Sequence, residues 1–147
     1  MIDLMAFLNS PQRDDLLLRE AGVNLDRALF PLLVRLGIAG PMSVAALADQ
    51  VGRDHSTISR QLTKLESLEL ILRQDGGTDR RVRTASLTSA GDEIVHAITA
   101  ARRRLLSRTL VGWSETDRAN LAALNRRFVD ALGDAARDRW DQRRLAR

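Results

Sequence analysis

The sequence predicts a mainly α fold with one small β-hairpin, and three observations carry that prediction. Apolar residues recur at helical spacing, as in Leu25, Ala28, Leu29, Leu32, Leu33 and Leu36. A polar, glycine-containing stretch, Gln74 to Asp79, separates two short apolar runs, Leu70 to Leu72 and Val82 to Leu87, as a turn separates two strands. Two long helical patterns then finish the chain, from Ser89 to about Leu110 and from Ser114 to about Trp140. With 147 residues, 44% of them apolar and 29% charged, the chain has the size and make-up of one globular domain able to bury a core.

Taken in order, Ser10-Pro11 reads as a helix start, Ser at the N-cap and Pro at the first helical position, with Gly22 as the stop. The next helix spans Leu25 to Leu36, and Pro31 inside it calls for a kink or a late start. Gly40-Pro41 breaks the chain. Ser43 then caps a short helix from Val44 to about Val51, whose inward residues are Val44, Leu47, Ala48 and Val51. Gly52 follows, and Asp54 caps a helix from His55 to about Glu69. After the hairpin and the first long helix, Ser114-x-x-Asp117 resembles a capping box with Asp in place of Glu. The final helix carries Leu121, Leu124, Phe128, Ala131, Leu132 and Ala135 on one side, and Asp141 to Arg147 read as a frayed end.

Composition excludes several classes of function. There is no cysteine, so disulfides, thiolate metal sites and thiol redox sensing are out. No apolar run approaches the roughly 18–20 residues that span a bilayer, and Asp3 stands where a signal peptide needs a basic residue, so a cytoplasmic protein with no membrane partner is expected. Glu93-x-x-His96 has di-iron spacing but no second copy, and no phosphate-binding glycine loop is present. Neither an enzyme nor a cofactor is expected. Of 23 basic residues, 22 are arginine and only Lys64 is lysine; the net charge of +4 therefore says less than where the arginines fall.

They fall in an informative place. Between Ser43 and Glu69, two short helices are joined by a turn containing Gly52, and Ala48 is small enough to let them cross closely. Ile58, Leu62, Leu65 and Leu68 form an apolar stripe that packs the second helix down. Its outer face, starting at His55, carries Ser56, Thr57, Ser59, Arg60, Thr63 and Lys64, with no acid between His55 and Lys64. Hydroxyls and guanidinium groups on such a face reach base edges, cations meet phosphates, and a helix N-terminus favours a phosphate oxygen. An ordinary amphipathic surface helix would also be polar outside, so the hairpin decides. It has Arg73 on its first strand and Arg80, Arg81 and Arg83 at its far side, which makes it a basic wing able to place an arginine in the minor groove of double-stranded DNA. Asp79 can orient the planar guanidinium of Arg81.

On these residues the chain resembles the MarR family of regulators. The matching stretches are Gly40 to Ala48, Val51 to Arg60, Lys64-Leu65-Glu66, the wing Asp79-Arg80-Arg81, and Leu87-Thr88-Ser89-Ala90-Gly91. The resemblance implies base or backbone contacts from Ser56, Thr57, Ser59 and Arg60, phosphate contact near Ser43, and minor-groove entry by Arg81 aimed by Asp79. It departs in a short first helix and in Arg53, where the family is more often apolar. It also implies an intertwined homodimer of terminal helices and, for many members, a small-molecule effector. The cleft for such an effector would be lined by residues 25–36 and those around Val95 and Trp113, but the side chains name no ligand chemistry.

The expected organisation is a winged helix-turn-helix over 25–88, flanked by helical dimerisation regions at 1–24 and 89–147. Ile2, Leu4, Met5, Phe7 and Leu8 and the stripe from Leu121 to Leu132 supply the association surfaces. Two reading heads about 34–36 Å apart match a pseudo-palindromic operator. Arg102-Arg103-Arg104 with Arg108 reads as a solvated or ion-paired helix face, Trp113 as a packed corner, and Trp140 as a terminal packing residue. The function expected is a sequence-specific transcriptional repressor. Its rivals are a nonspecific DNA binder and a winged-helix protein turned to protein contacts.

Overall fold

A computed structural model describes the backbone of residues 10–75 and 83–145, and the side chains over those ranges except at 75, 83 and 134–145. The chain divides into two compact units, one ending at Leu105 and one beginning at Leu106.

In the first unit, helix α1 (Pro11–Ala21) starts with extended Ser10 and Pro11, although the Ser10 hydroxyl makes no capping bond. Gly22 closes it in the left-handed region at φ 67°, and its N–H reaches the Arg19 carbonyl at 3.0 Å. Helix α2 (Phe30–Ala39) begins five residues later than its apolar periodicity predicts. Pro31 lacks the N–H and crowds the preceding turn, so the helix starts beside it instead of running through it. Before it, the Asp26 carboxylate accepts from the Ala28 N–H at 2.8 Å and forms a turn.

Strand β1 (Met42–Ser43) leads directly into helix α3 (Val44–Val51). Ser43 caps α3 as predicted, its hydroxyl oxygen accepting from the Ala46 N–H at 3.1 Å. Gly52 at φ 65° makes the turn into helix α4 (His55–Ser67). That helix stops short of the expected Glu69 because the chain reverses there: Glu69 itself takes a left-handed φ of 59°. Strands β2 (Ile71–Asp75) and β3 (Arg83–Leu87) pair antiparallel from Ile71 opposite Leu87 to Asp75 opposite Arg83. β1 adds a short third strand on the far side of β3, with Met42 opposite Ala85, which the sequence did not reveal.

Two apolar clusters hold this unit together. The larger joins Leu32, Leu33 and Leu36 of α2 to Leu47 of α3, to Ile58, Leu62 and Leu65 of α4, and to Ile71 and Ala85 of the sheet. The smaller joins Leu17 and Leu18 of α1, Phe30 and Val34 of α2, and Ile98 and Ala101 of helix α5 (Ser89–Thr109). Burying each of the leucine, isoleucine, valine and phenylalanine side chains contributes roughly 1.5–3 kcal/mol. The Leu-Thr-x-x-Gly stretch is the joint between sheet and α5. Thr88 donates from its hydroxyl to the Glu69 carbonyl at 2.7 Å and accepts from the Gly91 N–H at 3.1 Å. Gly91 lies so close to the Leu70 carbonyl that an added Cβ would overlap that oxygen.

The arginine run on α5 is ion-paired in part: Arg104 donates to the Glu20 carboxylate at 2.9 Å and to the Glu20 carbonyl at 2.7 Å. In the second unit, Ser114 and Asp117 bond reciprocally at the start of helix α6 (Glu115–Leu145). The helix continues through residues 141–145, where a frayed end was expected. Trp113 does not close a packed corner, since it is 46% exposed. Among the described residues no helix is long and apolar enough to cross a membrane.

Candidate nucleic-acid interface

α4 owes its orientation to three fully buried residues, Ile58, Leu62 and Leu65, spaced by four and three on one face. Rotating the helix would bring one of them into water, so the opposite face is fixed as the outward one. On that face His55, Ser56, Arg60, Thr63 and Lys64 are exposed, and Thr57 and Ser59 are half-buried.

The start of the face is more ordered than its sequence suggests. The Asp54 carboxylate accepts from the Thr57 N–H at 2.8 Å, from the Thr57 hydroxyl at 2.7 Å and from the Ser56 hydroxyl at 2.6 Å. The Ser56 bond, with those from the Thr57 side chain and backbone, holds the Asp54 carboxyl far below the usual carboxylate range. Two consequences follow. Both hydroxyls turn their protons toward Asp54 and their lone pairs outward. The helix N-terminus, expected from sequence to favour a phosphate, already has a carboxylate on it, which neutralises the dipole and disfavours a second anion. Arg60 reaches back to the Thr57 oxygen at 3.4 Å, which lines Asp54, Thr57 and Arg60 in a row along one edge of the helix.

Arg53, the unexpected cation in the turn, ties the head together. It donates to the Ala28 carbonyl at 3.3 Å and to the Gln61 side-chain oxygen at 3.2 Å, bridging the approach to α2 and the middle of α4. Ser43 is occupied as the α3 cap. Arg73 is placed differently from the sequence expectation of an outward wing cation. Its Nη2 donates to the Ser59 carbonyl at 2.8 Å and to the Thr63 hydroxyl at 3.1 Å, and the side chain is only 11% exposed. Both donations come from this one nitrogen and run to α4, so that side of the guanidinium is turned to its own protein and not outward.

Asp79, Arg80 and Arg81 lie outside the described residues, and of Arg83 only the backbone, as the first residue of β3, is described. The structure thus brings Ser56, Thr57, Ser59, Arg60 and Lys64 onto one face with His55 at its start, and sets the root of the wing directly beside them. Sequence reasoning missed the Asp54 network beyond its cap, the Arg53 bridge and the Arg73 contact. Only the first had a local signal, a carboxylate two and three residues before hydroxyls.

A family model described as HVO_A0114 matches residues 27–85. The chain is 33% identical over 111 residues to an uncharacterized HTH-type transcriptional regulator, YxaD of Bacillus subtilis, covering 73% of this chain and 78% of that protein. It is similar to the crystal structure of MarR at 25% identity, with a TM-score of 0.79, covering 96% of this chain and 94% of that one. It also shares the fold of Streptococcus pneumoniae FabT, solved in complex with DNA, at 19% identity and a TM-score of 0.69, covering 90% and 96% of the two chains.

Proposed function

Because this chain belongs to the MarR family of DNA-binding transcriptional regulators, we propose that it is a repressor that binds a pseudo-palindromic operator as a homodimer. α4 enters the major groove of each half-site, and Arg81 of the wing, aimed by Asp79, enters the minor groove; Arg80 and Arg83 flank it on the backbone. The observation that carries this reading is the outward face of α4, an acid-free run of hydroxyls and cations from His55 to Lys64 held in register by a fully buried opposite face. A winged helix turned to protein contacts has no need of an acid-free, hydroxyl-and-cation outer face. The DNA complex of the similarly folded FabT is consistent with it.

Residues 25–88 then read DNA, while 1–24 and 89–147 join two copies. Support for the second part comes from α6, where Leu121, Leu124, Phe128 and Leu132 lie at helical spacing and are 41–59% exposed. Such a stripe in a single copy calls for a partner. A dimer seated on a promoter represses by excluding polymerase.

The effector reading has one physical support. A cavity of about 460 Å³ is lined by the apolar Leu17, Phe30 and Val34 and by the charged Arg13, Asp14, Arg35 and Arg102. Burial and the charge of Arg13 pull Arg102 below its ordinary pKa and outweigh the opposing pull of Asp14, so an anion bound beside these arginines would add favourable charge. An aromatic carboxylate such as benzoate should raise the thermal midpoint of the protein and weaken its DNA binding, and Arg102→Met should abolish both effects. A response unchanged in that variant rejects the cavity.

The decisive measurement is affinity for the DNA upstream of the protein's own gene against random duplex across a salt series. Preference for the upstream duplex that persists at moderate salt supports a regulator of that site. Equal affinities identify a nonspecific, phosphate-driven binder. Absence of binding even at low salt leaves a winged helix turned to protein contacts.

A further inference from the structure

The buried position of Arg73 is a cost that the fold alone does not require. A strand residue at this point could be apolar and pack on α4 with no charge to desolvate. Instead a guanidinium lies against the helix, two donations running from one of its nitrogens to Ser59 and Thr63. Its Nε, buried and without a hydrogen-bond partner, faces the Glu66 carboxylate at 3.7 Å. The acceptors are chosen from the reading turn of α4: the Ser59 carbonyl belongs to the residue before Arg60, and the Thr63 hydroxyl, which itself donates to the Ser59 carbonyl at 3.0 Å, lies one turn further on. On the other side Arg73 is the central residue of β2, the strand that carries the chain out to the wing turn.

We propose that Arg73 is a positioning residue and not a DNA contact: it clamps the wing to the middle of the recognition helix, so that the two meet DNA as one rigid unit. This deepens the DNA-reading function proposed above and rests on it. The physical reason is geometric. The base of the hairpin is fixed by β1 and by Ile71 and Ala85 in the core. Beyond Gln74 and Thr84 only two strands continue, and a bend of that ribbon sets the distance between the major-groove helix and the minor-groove arginine. Charge-assisted bonds from one guanidinium nitrogen to two acceptors, with the Glu66 carboxylate facing its Nε, restrict that freedom, which an apolar side chain would not. The expense of burying the charge is consistent with a role in orientation, since the larger apolar cluster already supplies stability.

A double-mutant cycle tests this in the full chain with the preferred duplex. Arg81→Ala alone should weaken binding by about tenfold. In an Arg73→Met background the same change should alter affinity by less than about twofold, because a wing no longer held in place has little left to lose. Thr63→Val, which removes one acceptor from the exposed side of α4, should give the same non-additivity in smaller measure, and it serves in place of Arg73→Met if that variant does not fold. Thermal midpoints of all variants separate this from simple unfolding, which would leave the Arg81→Ala effect unchanged on the folded fraction. Independent, multiplying effects of Arg73→Met and Arg81→Ala overturn the proposal and return Arg73 to a direct or purely structural role. Specific binding that is indifferent to Arg81→Ala overturns it as well, by leaving nothing for the clamp to position. Failure of the unaltered protein to prefer any duplex rejects the function itself, a result distinct from both.

Discussion

Two residues show how much of this head depends on single backbone positions. Glu69 holds a left-handed φ of 59°, a region that costs an ordinary residue about 1–2 kcal/mol and glycine almost nothing. It accepts the strain because the chain must reverse between α4 and β2, and its carbonyl is held there by Thr88. Glu69→Gly should therefore stabilise the protein by about 0.5–1 kcal/mol in denaturant unfolding, the greater freedom of glycine in the unfolded chain offsetting part of the gain. A loss of stability would mean that the Glu69 side chain contributes more than the strain it causes. Gly91 is the converse. Its α carbon approaches the Leu70 carbonyl so closely that no side chain fits, and a backbone oxygen cannot swing away as a side chain can. Gly91→Ala should cost about 3 kcal/mol or more, with loss of the cooperative unfolding transition as the extreme outcome.

At the scale of the element, α4 owes the start of its reading face to a side-chain cap. Its N-terminus is held by Asp54, whose carboxyl has a folded pKa well below its ordinary value of 3.8. A carboxylate depressed on folding stabilises the folded chain fully above its unfolded pKa, and that contribution fades as the pH falls through the folded value. The difference in unfolding midpoint between the unaltered protein and Asp54→Asn should thus be constant from about pH 7 down to about pH 5 and shrink as the pH approaches about 2. A difference that grows on acidification would show that Asp54 is not the acceptor of these bonds. Much of α4 is legible from sequence, since capping and amphipathic spacing are relations between residues two to four apart. The late start of α2 is legible only as one of two outcomes of Pro31. Strand β1 is not legible at all: two residues carry no periodicity, and Met42 pairs with Ala85 only because the tertiary fold brings them side by side.

Across the whole molecule, the apolar stripe of α6 is where assembly should be tested. Leu124 and Phe128 are 59% and 41% exposed, and four residues apart they stand on one face. Leu124→Asp with Phe128→Asp should convert a dimer to a monomer by sedimentation, while the circular dichroism of the helices is largely retained. Because a lone reading head covers half an operator, the affinity for the palindromic duplex should fall by at least about a hundredfold. Retention of a dimer in this variant would place the interface elsewhere.

By itself the sequence determined that this protein carries a helix-turn-helix with a polar, cationic outer face and a basic hairpin after it, because those features are written in local spacing, caps and turn residues. The tertiary structure decided where the long side chains go. Arg73 reads as an outward cation in the strand and lies instead across α4, and Arg53 bridges residues 25 and 8 positions away. An arginine has reach enough to face solvent or its own protein, and which it faces depends on the acceptors opposite it. Those acceptors are set by packing between elements distant in the chain, and no local pattern records them.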